Sequence, residues 1–445
     1  MLTARFRRLA RFDALVVTSL VWFLGKFLRY AFPPLFGTLG ETYGVSRAAL
    51  GTAFTGFMLV YAAMQFPSGL LADRVGSVRV IAGGALLTSA GALALVVDSP
   101  FPVLVAAMLC MGAGTGSFKT VAVRLLSRAY PDRTGRALGV FDTVGAFGGV
   151  AAPAAVVLVT GLAGVLGAPW RTLFLAGGLA GVAVTAAFVA RVPTRLPDED
   201  EAVPDSDAAA DENDTAVDES DAAADGDPGL RTYVGLFRAP RFAAFVAVTI
   251  LFSFAYNGTV AFLPLYLADE TALTEATANL LFSALFVVSL VQLVTGEASD
   301  RVGAAPVIAL TLGVATAGLG AVLAFSATAG PLVLGACVVA LGLGAHGFRP
   351  VRGAYLLRVV PDEVAGGGLG AVRTLLMAAG AVAPATVGIL SETVGFRAAF
   401  ALLAVALAGA TALAVGLWLV ERGADLSGES VFRDAITAQT EPQTA

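Results

Sequence analysis

Charged side chains are scarce in this chain, making up 14% of its 445 residues; a soluble domain carries about 25%. That scarcity excludes an ordinary water-soluble globule. Histidine is nearly absent as well. His346 stands alone, so no multi-histidine metal centre is available and no metal is expected. The two cysteines, Cys110 and Cys337, both sit inside apolar runs and do not suggest a disulfide framework. Lysine is confined to Lys26 and Lys119, while arginine is common. No nucleophile–histidine–acid set and no carboxylate pair in one cleft is visible, so neither an enzyme, a cofactor nor a nucleic-acid partner is expected. The runs Gly112-Ala-Gly-Thr-Gly116 and Gly366-Gly-Gly-Leu-Gly370 lack the Lys-Ser/Thr ending of a phosphate loop. Close helix packing is their better explanation.

What is abundant is apolar surface, with hydrophobic residues at 57% and a mean hydropathy of +0.81. A bilayer core asks for about 20 apolar residues per helical crossing. Such runs recur from Ala14–Leu39 to Ala398–Val420 between short charged punctuation. They are too long and too uniform for the alternating strands of a barrel, so helices are the way this chain crosses lipid. The pattern predicts an all-α polytopic membrane protein of twelve helices, at 12–39, 47–72, 78–97, 101–127, 136–160, 170–191, 240–267, 274–299, 304–325, 331–358, 367–391 and 396–420. Close to half of the acidic residues fall between Asp198 and Asp227, a stretch without Lys or Arg. Residues 192–232 therefore read as a disordered linker. It would join a bundle at 1–191 to a second at 233–422, with a flexible tail at 423–445.

Basic residues near helix ends set the expected orientation. Arg5, Arg7, Arg8 and Arg11 precede the first span, and no cleaved signal peptide is expected there. Arg74, Arg79, Arg128, Arg133, Arg136, Arg301 and Arg358 share that side, while Glu41, Asp98, Asp269, Glu270 and Glu392 fall on the other. Both termini and the linker are expected in the cytoplasm, with the protein a monomer in the plasma membrane.

An internal repeat divides the chain. Gly69-Leu-Leu-Ala-Asp73-Arg74-Val-Gly76 returns as Gly296-Glu-Ala-Ser-Asp300-Arg301-Val-Gly303. Gly112-Ala-Gly114, Phe118-Lys119 and Pro131-Asp132 return as Gly342-Leu-Gly344, Phe348-Arg349 and Pro361-Asp362. Two six-helix halves in parallel orientation follow, related by an axis along the membrane normal.

On these residues the chain resembles the major facilitator superfamily, from about residue 10 to 422. The stretch Gly69-x-x-x-Asp73-Arg74-x-Gly76-x-x-Arg79 is close to that family's inner-loop motif, and its Gly-x-x-x-Asp-Arg-x-Gly part occurs in both halves. The resemblance implies the family's fold of two six-helix pseudo-symmetric bundles and secondary transport by alternating access. It also implies inner-side gating by Asp73, Arg74, Arg79, Asp300 and Arg301. Met108 stands where the family places a helix-4 arginine associated with proton coupling.

Charge inside lipid is costly, about 2.5–3.5 kcal/mol per Lys, Arg or Asp at a helix centre, so the few such groups mark a pathway or an ion pair. Lys26 lies about 20 Å along the first helix, near the midplane. Arg29 lies one turn further on, either in the pathway or reaching the outer headgroups. Lys119 and Arg349 hold equivalent depths in the two repeats and suggest a pseudo-symmetric clamp for an anion. His346 and Arg352 share the face of Arg349. Gln65, Tyr61, Tyr256, Asn257 and Gln292 are candidate neutral hydrogen-bonders. Asp142 is expected to meet Arg349 or Arg352, and Arg373 to reach Asp73, as gating pairs. Asp73 and Asp300 suit the N-terminal ends of the eleventh and fifth helices. The cationic surplus favours symport of a small anion, with a proton or sodium as coupling ion. The rivals are efflux of a drug-like compound and a non-transporting membrane sensor or scaffold.

Overall fold

Residues 12–161, 166–193, 238–359 and 377–426 are described by the computed structural model. Among them every regular element is a helix, as lipid requires of backbone groups with no water to bond. The first half holds α1 (Asp13–Tyr43), α2 (Arg47–Val75), α3 (Ser77–Ala94), α4 (Phe101–Ala129), α5 (Thr134–Thr160) and α6 (Pro169–Arg191). The second half holds α7 (Pro240–Glu270), α8 (Glu275–Val302), α9 (Ala304–Phe325), α10 (Pro331–Val359), α11 (Ala383–Thr393) and α12 (Phe396–Leu426). A 3₁₀ turn at Val288–Leu290 interrupts α8. Eleven of the twelve are long and apolar enough to cross a membrane within the described residues. Beyond Pro193 the expected linker lies outside those residues. So do Arg373, the Gly366–Gly370 run and the tail from Ser427.

The helix ends follow local chemistry. Ser46 caps α2 by accepting from the Ala49 N–H at 3.1 Å, and Thr274 caps α8 by accepting from Thr277 at 3.2 Å. The repeated motif ends each time on a glycine in the left-handed half of backbone space, Gly76 at φ 90° and Gly303 at φ 89°. A side chain is disfavoured there, so the α2–α3 and α8–α9 corners share one turn.

Packing repeats as well. In the first half α1 packs on α5 and α6, α4 on α2 and α3, and α3 on α6. In the second, α7 packs on α11 and α12, α10 on α8 and α9, and α9 on α12. Adding six to each helix number converts one set into the other. The halves meet through α2 on α11, α5 on α8 and α1 on α7, a pattern that maps onto itself under the same operation. This is the pseudo-two-fold arrangement expected from the repeat.

Small residues let the helices approach. A Cβ on Gly112 would lie 2.5 Å from the Phe57 carbonyl oxygen, and one on Gly116 would lie 2.4 Å from that of Tyr61. The first glycine run is therefore an α4–α2 packing stripe, as expected.

Among the described residues, a set of polar and aromatic contacts joins the halves at the end away from the termini. Arg47 pairs with Asp269 and lies over the Phe396 ring. Glu392 accepts from the Ala48 N–H at 3.1 Å, and Thr55 accepts from the Ala385 N–H at 3.0 Å. Both bonds satisfy N–H groups near helix starts across the interface. Phe36 meets Phe262 at 5.1 Å beneath them.

Candidate functional site

Below this closed end, α1, α5, α8 and α10 surround a cavity of about 50 Å³. Lys26 and Tyr30 come from α1, Asp142 and Ala146 from α5, Phe286 and Gln292 from α8, and His346 and Arg349 from α10. Both halves thus supply a cation. Lys26 Nζ sits 4.9 Å from the Trp22 ring centroid, and the Arg349 guanidinium sits 5.7 Å from that of Tyr256 on α7. Aromatic faces attract a cation. Tyr30 and Phe286 touch across the halves with centroids 4.5 Å apart.

Arg29 does not run to the headgroups: its guanidinium lies 5.4 Å from the rings of both Tyr30 and Tyr61. Arg29 and Arg349 are both within electrostatic reach of Tyr256, and Lys26 and Arg349 within reach of His346. Three cations therefore share one electrostatic neighbourhood.

Two expectations need correction. Asp142 accepts from Lys119 Nζ at 2.6 Å, so its described partner is a neighbour in its own half and not Arg349 or Arg352. Lys119 is only 2% exposed, and its Nζ lies 4.8 Å from both Trp22 and Phe141. It stands behind Asp142, outside the cavity lining. The clamp of Lys119 with Arg349 is replaced by Lys26 facing Arg349. The reason is rotation: Lys119 has the right depth but points from α4 into its own half.

The motif carboxylate Asp73 is bonded to Arg124 of α4, again within the first half. The N-terminal approach to α11 lies outside the described residues. Arg79 donates to the Val75 carbonyl at 3.2 Å, and Arg301 pairs with Glu297 one turn back. Arg74 and Asp300 are exposed.

Of the neutral candidates, Gln292 lines the cavity while donating to the Ser289 carbonyl at 3.0 Å. Asn257 donates to Ser253 on its own helix at 2.9 Å, and Gln65 donates to Met377 Sδ across the halves at 3.4 Å. Arg352 lies one turn beyond Arg349 and is not part of the lining. Sequence reasoning missed Tyr30 and Phe286, two aromatics whose only signal was adjacency to Arg29 and membership of the eighth helix. Among the described residues no cluster of three metal-ligating side chains occurs.

Two pseudo-symmetric six-helix halves around a charged cavity define a membrane carrier. A sequence profile of the Major Facilitator Superfamily matches residues 18–270 and 245–439, and the chain belongs to that superfamily of transporters. Part of it is 30% identical over 130 residues to the oxalate:formate antiporter of Oxalobacter formigenes, covering 29% of this chain and 31% of that protein. Another relative is the multidrug resistance protein B homolog of Mycobacterium tuberculosis, 31% identical over 139 residues, or 31% of this chain and 25% of the relative. The matched stretches thus span less than a third of either relative. Among solved structures, a bacterial homolog of the human lysosomal transporter Spinster, in its inward-facing and occupied conformation, superposes with a TM-score of 0.69. Its identity is 16%, over 92% of this chain and 96% of that one, a likeness of fold.

Proposed function

We propose that this transporter imports a small anion across the plasma membrane by alternating access, in symport with a proton or sodium ion. The observation that carries the reading is the charge balance of the cavity. Lys26 and Arg349 face it from opposite halves, while Asp142, the carboxylate in its lining, is bonded to Lys119. An anion reaching both cations draws the halves together, which is what couples binding to movement. Symport answers an energetic demand. A lone anion entering against an inside-negative potential loses about 2.3 kcal/mol per charge per 100 mV, and one accompanying cation removes that loss. Closure at the end away from the termini suits a carrier open to the cytoplasm, with both termini inside. The name of the oxalate:formate antiporter supports the anion part of this reading and not its symport part.

Export of drug-like compounds has the multidrug relative's name behind it. A lining with two cations disfavours lipophilic cations, so this reading ranks second. A frozen scaffold or sensor ranks third, because it has no use for the same corner motif in both halves.

The test is ligand-induced stabilisation of the purified full chain by oxalate, lactate, propionate and sulfate, against lipophilic cations. A ligand that binds the folded state raises its apparent stability by mass action. Anions should stabilise the wild type, and Lys26→Gln or Arg349→Gln should each weaken that binding about tenfold or more, equivalent to about 1.4 kcal/mol. Stabilisation by lipophilic cations alone would put export first.

A further inference from the structure

The cavity contains hydrogen-bonding atoms with nothing to bond. His346 is 2% exposed and lines the cavity, yet neither Nδ1 nor Nε2 has a hydrogen-bond partner. The Leu285 backbone lies beside the ring without closing a bond of ordinary geometry. The hydroxyl of Tyr256 is also buried and unpartnered. The two rings meet edge to face with centroids 6.0 Å apart, and the same Tyr256 ring faces the Arg349 guanidinium. Two unmet polar atoms therefore sit on a lining residue, His346, and a third on Tyr256, which packs against both His346 and Arg349 just behind the lining.

Such atoms are expensive. A buried polar group left without a partner has lost its bonds to water with nothing in return. Several buried hydroxyls avoid that cost by donating to carbonyls of their own helices, as Thr88, Ser89, Thr185, Thr249 and Thr311 do, whereas Thr18, Ser19, Trp22, Tyr43, Trp170 and Tyr266 share it. What sets His346 apart among the described residues with such atoms is that it lines the cavity, where something entering from outside can supply the bonds.

What would satisfy them has a definite chemistry. A neutral imidazole offers one N–H donor and one bare acceptor nitrogen, and a phenol offers both functions on one oxygen. A carboxylate can only accept, and a hydrocarbon tail does neither. A hydroxyl donates and accepts at once. We propose that the substrate is a hydroxy-acid anion, whose carboxylate lies between Lys26 and Arg349 and whose hydroxyl bonds His346 and Tyr256. The inference rests on the anion reading above and assigns these two residues as specificity determinants. Discrimination follows from the same atoms: an analogue lacking the hydroxyl leaves them unmet.

The experiment measures binding of matched acids to the purified full chain by titration calorimetry. The pairs are glycolate with acetate, lactate with propionate, 3-hydroxybutyrate with butyrate, and 3-hydroxyphenylacetate with phenylacetate. In at least one pair the hydroxy acid should bind about tenfold tighter or better. Tyr256→Phe and His346→Leu should each cut that ratio at least threefold while leaving the plain acid's affinity within twofold. Tyr256→Phe removes one oxygen and keeps the ring, so it carries the test if His346→Leu does not fold. Equal binding within every pair, with Arg349→Gln still abolishing both members, would overturn the hydroxyl assignment and leave the anion reading standing. Failure of every acid to bind the wild type would remove both.

Discussion

Lys119 and Asp142 form an ion pair across α4 and α5 at 2.6 Å, with the lysine almost completely buried and the aspartate 27% exposed toward the cavity. Trp22 and Phe141 hold the ammonium from two further sides. Asp142 is thereby tied to its own half, and its charge is largely spent before any solute arrives. Lys26 and Arg349 line the same cavity from either half.

Breaking this pair from one side should be worse than removing it. A buried charge stripped of its partner destabilises by about 3–5 kcal/mol, whereas an apolar replacement of both partners is often near neutral. We expect Asp142→Ala and Lys119→Met each to lower the unfolding temperature in detergent. The double variant should recover well over half of the loss. Additive losses in this double-mutant cycle would mean that the two residues act independently.

The α4 stripe makes a steric prediction. Gly116→Val places a branched side chain where the Tyr61 carbonyl already sits, so α4 and α2 must part. Expression of folded protein should drop severely. Gly83→Ala is the control, because a Cβ there meets nothing within 4 Å. Size-exclusion profiles of the two variants decide the matter, and a monodisperse Gly116→Val protein would contradict the packing.

The helices were legible because lipid leaves the chain one answer, and eleven of the twelve expected starts fall within about three residues of those observed, that of the eleventh helix, expected at 367, lying outside the described residues. Their far ends ran longer, α1 to Tyr43 and α12 to Leu426, since a helix continues bonding after it leaves the apolar layer. Lys26 and Arg349 stood out because charge is rare at that depth. Partner choice was not legible. Depth along a helix follows from counting residues, but rotation depends on how its neighbours pack, and rotation turned Lys119 toward Asp142. Asp73 illustrates the same limit: its partner, Arg124, lies 51 positions away on α4. Tyr30 and Phe286 carried no signal of their own, since an aromatic ring in an apolar helix reads equally as core or lipid-facing.

Orientation is open to a direct test. Single cysteines at Ser220, Thr271 and Thr440, in a background without Cys110 and Cys337, can be probed on intact cells with an impermeant thiol reagent. The basic residues predict a cytoplasmic linker and tail. Thr271, at the end of α7, should therefore react while Ser220 and Thr440 stay protected until the cells are lysed. Labelling of Ser220 in intact cells would invert the topology.

Closure at the far end should be weak enough to reverse on each cycle, and its parts suit that. Arg47 and Asp269 are each about one-third exposed, which places their ion pair among those worth about 0–1 kcal/mol. Glu392 adds a bond to the Ala48 N–H, beside the start of α2, where a negative charge gains about 0.3–1 kcal/mol. Asp269→Asn and Glu392→Gln together should therefore shift the balance toward the state open at this end by about 1–2 kcal/mol, or roughly fivefold to thirtyfold in population. Spin labels at Thr42 and Thr393, both exposed on this face in opposite halves, report the opening as a longer distance component. In the wild type the short component should dominate. In the double variant the long one should grow without any change in the cavity residues. An unchanged distance distribution would mean that the aromatic contact of Phe36 with Phe262 and the tight α2–α11 packing keep this end shut without help from the charges.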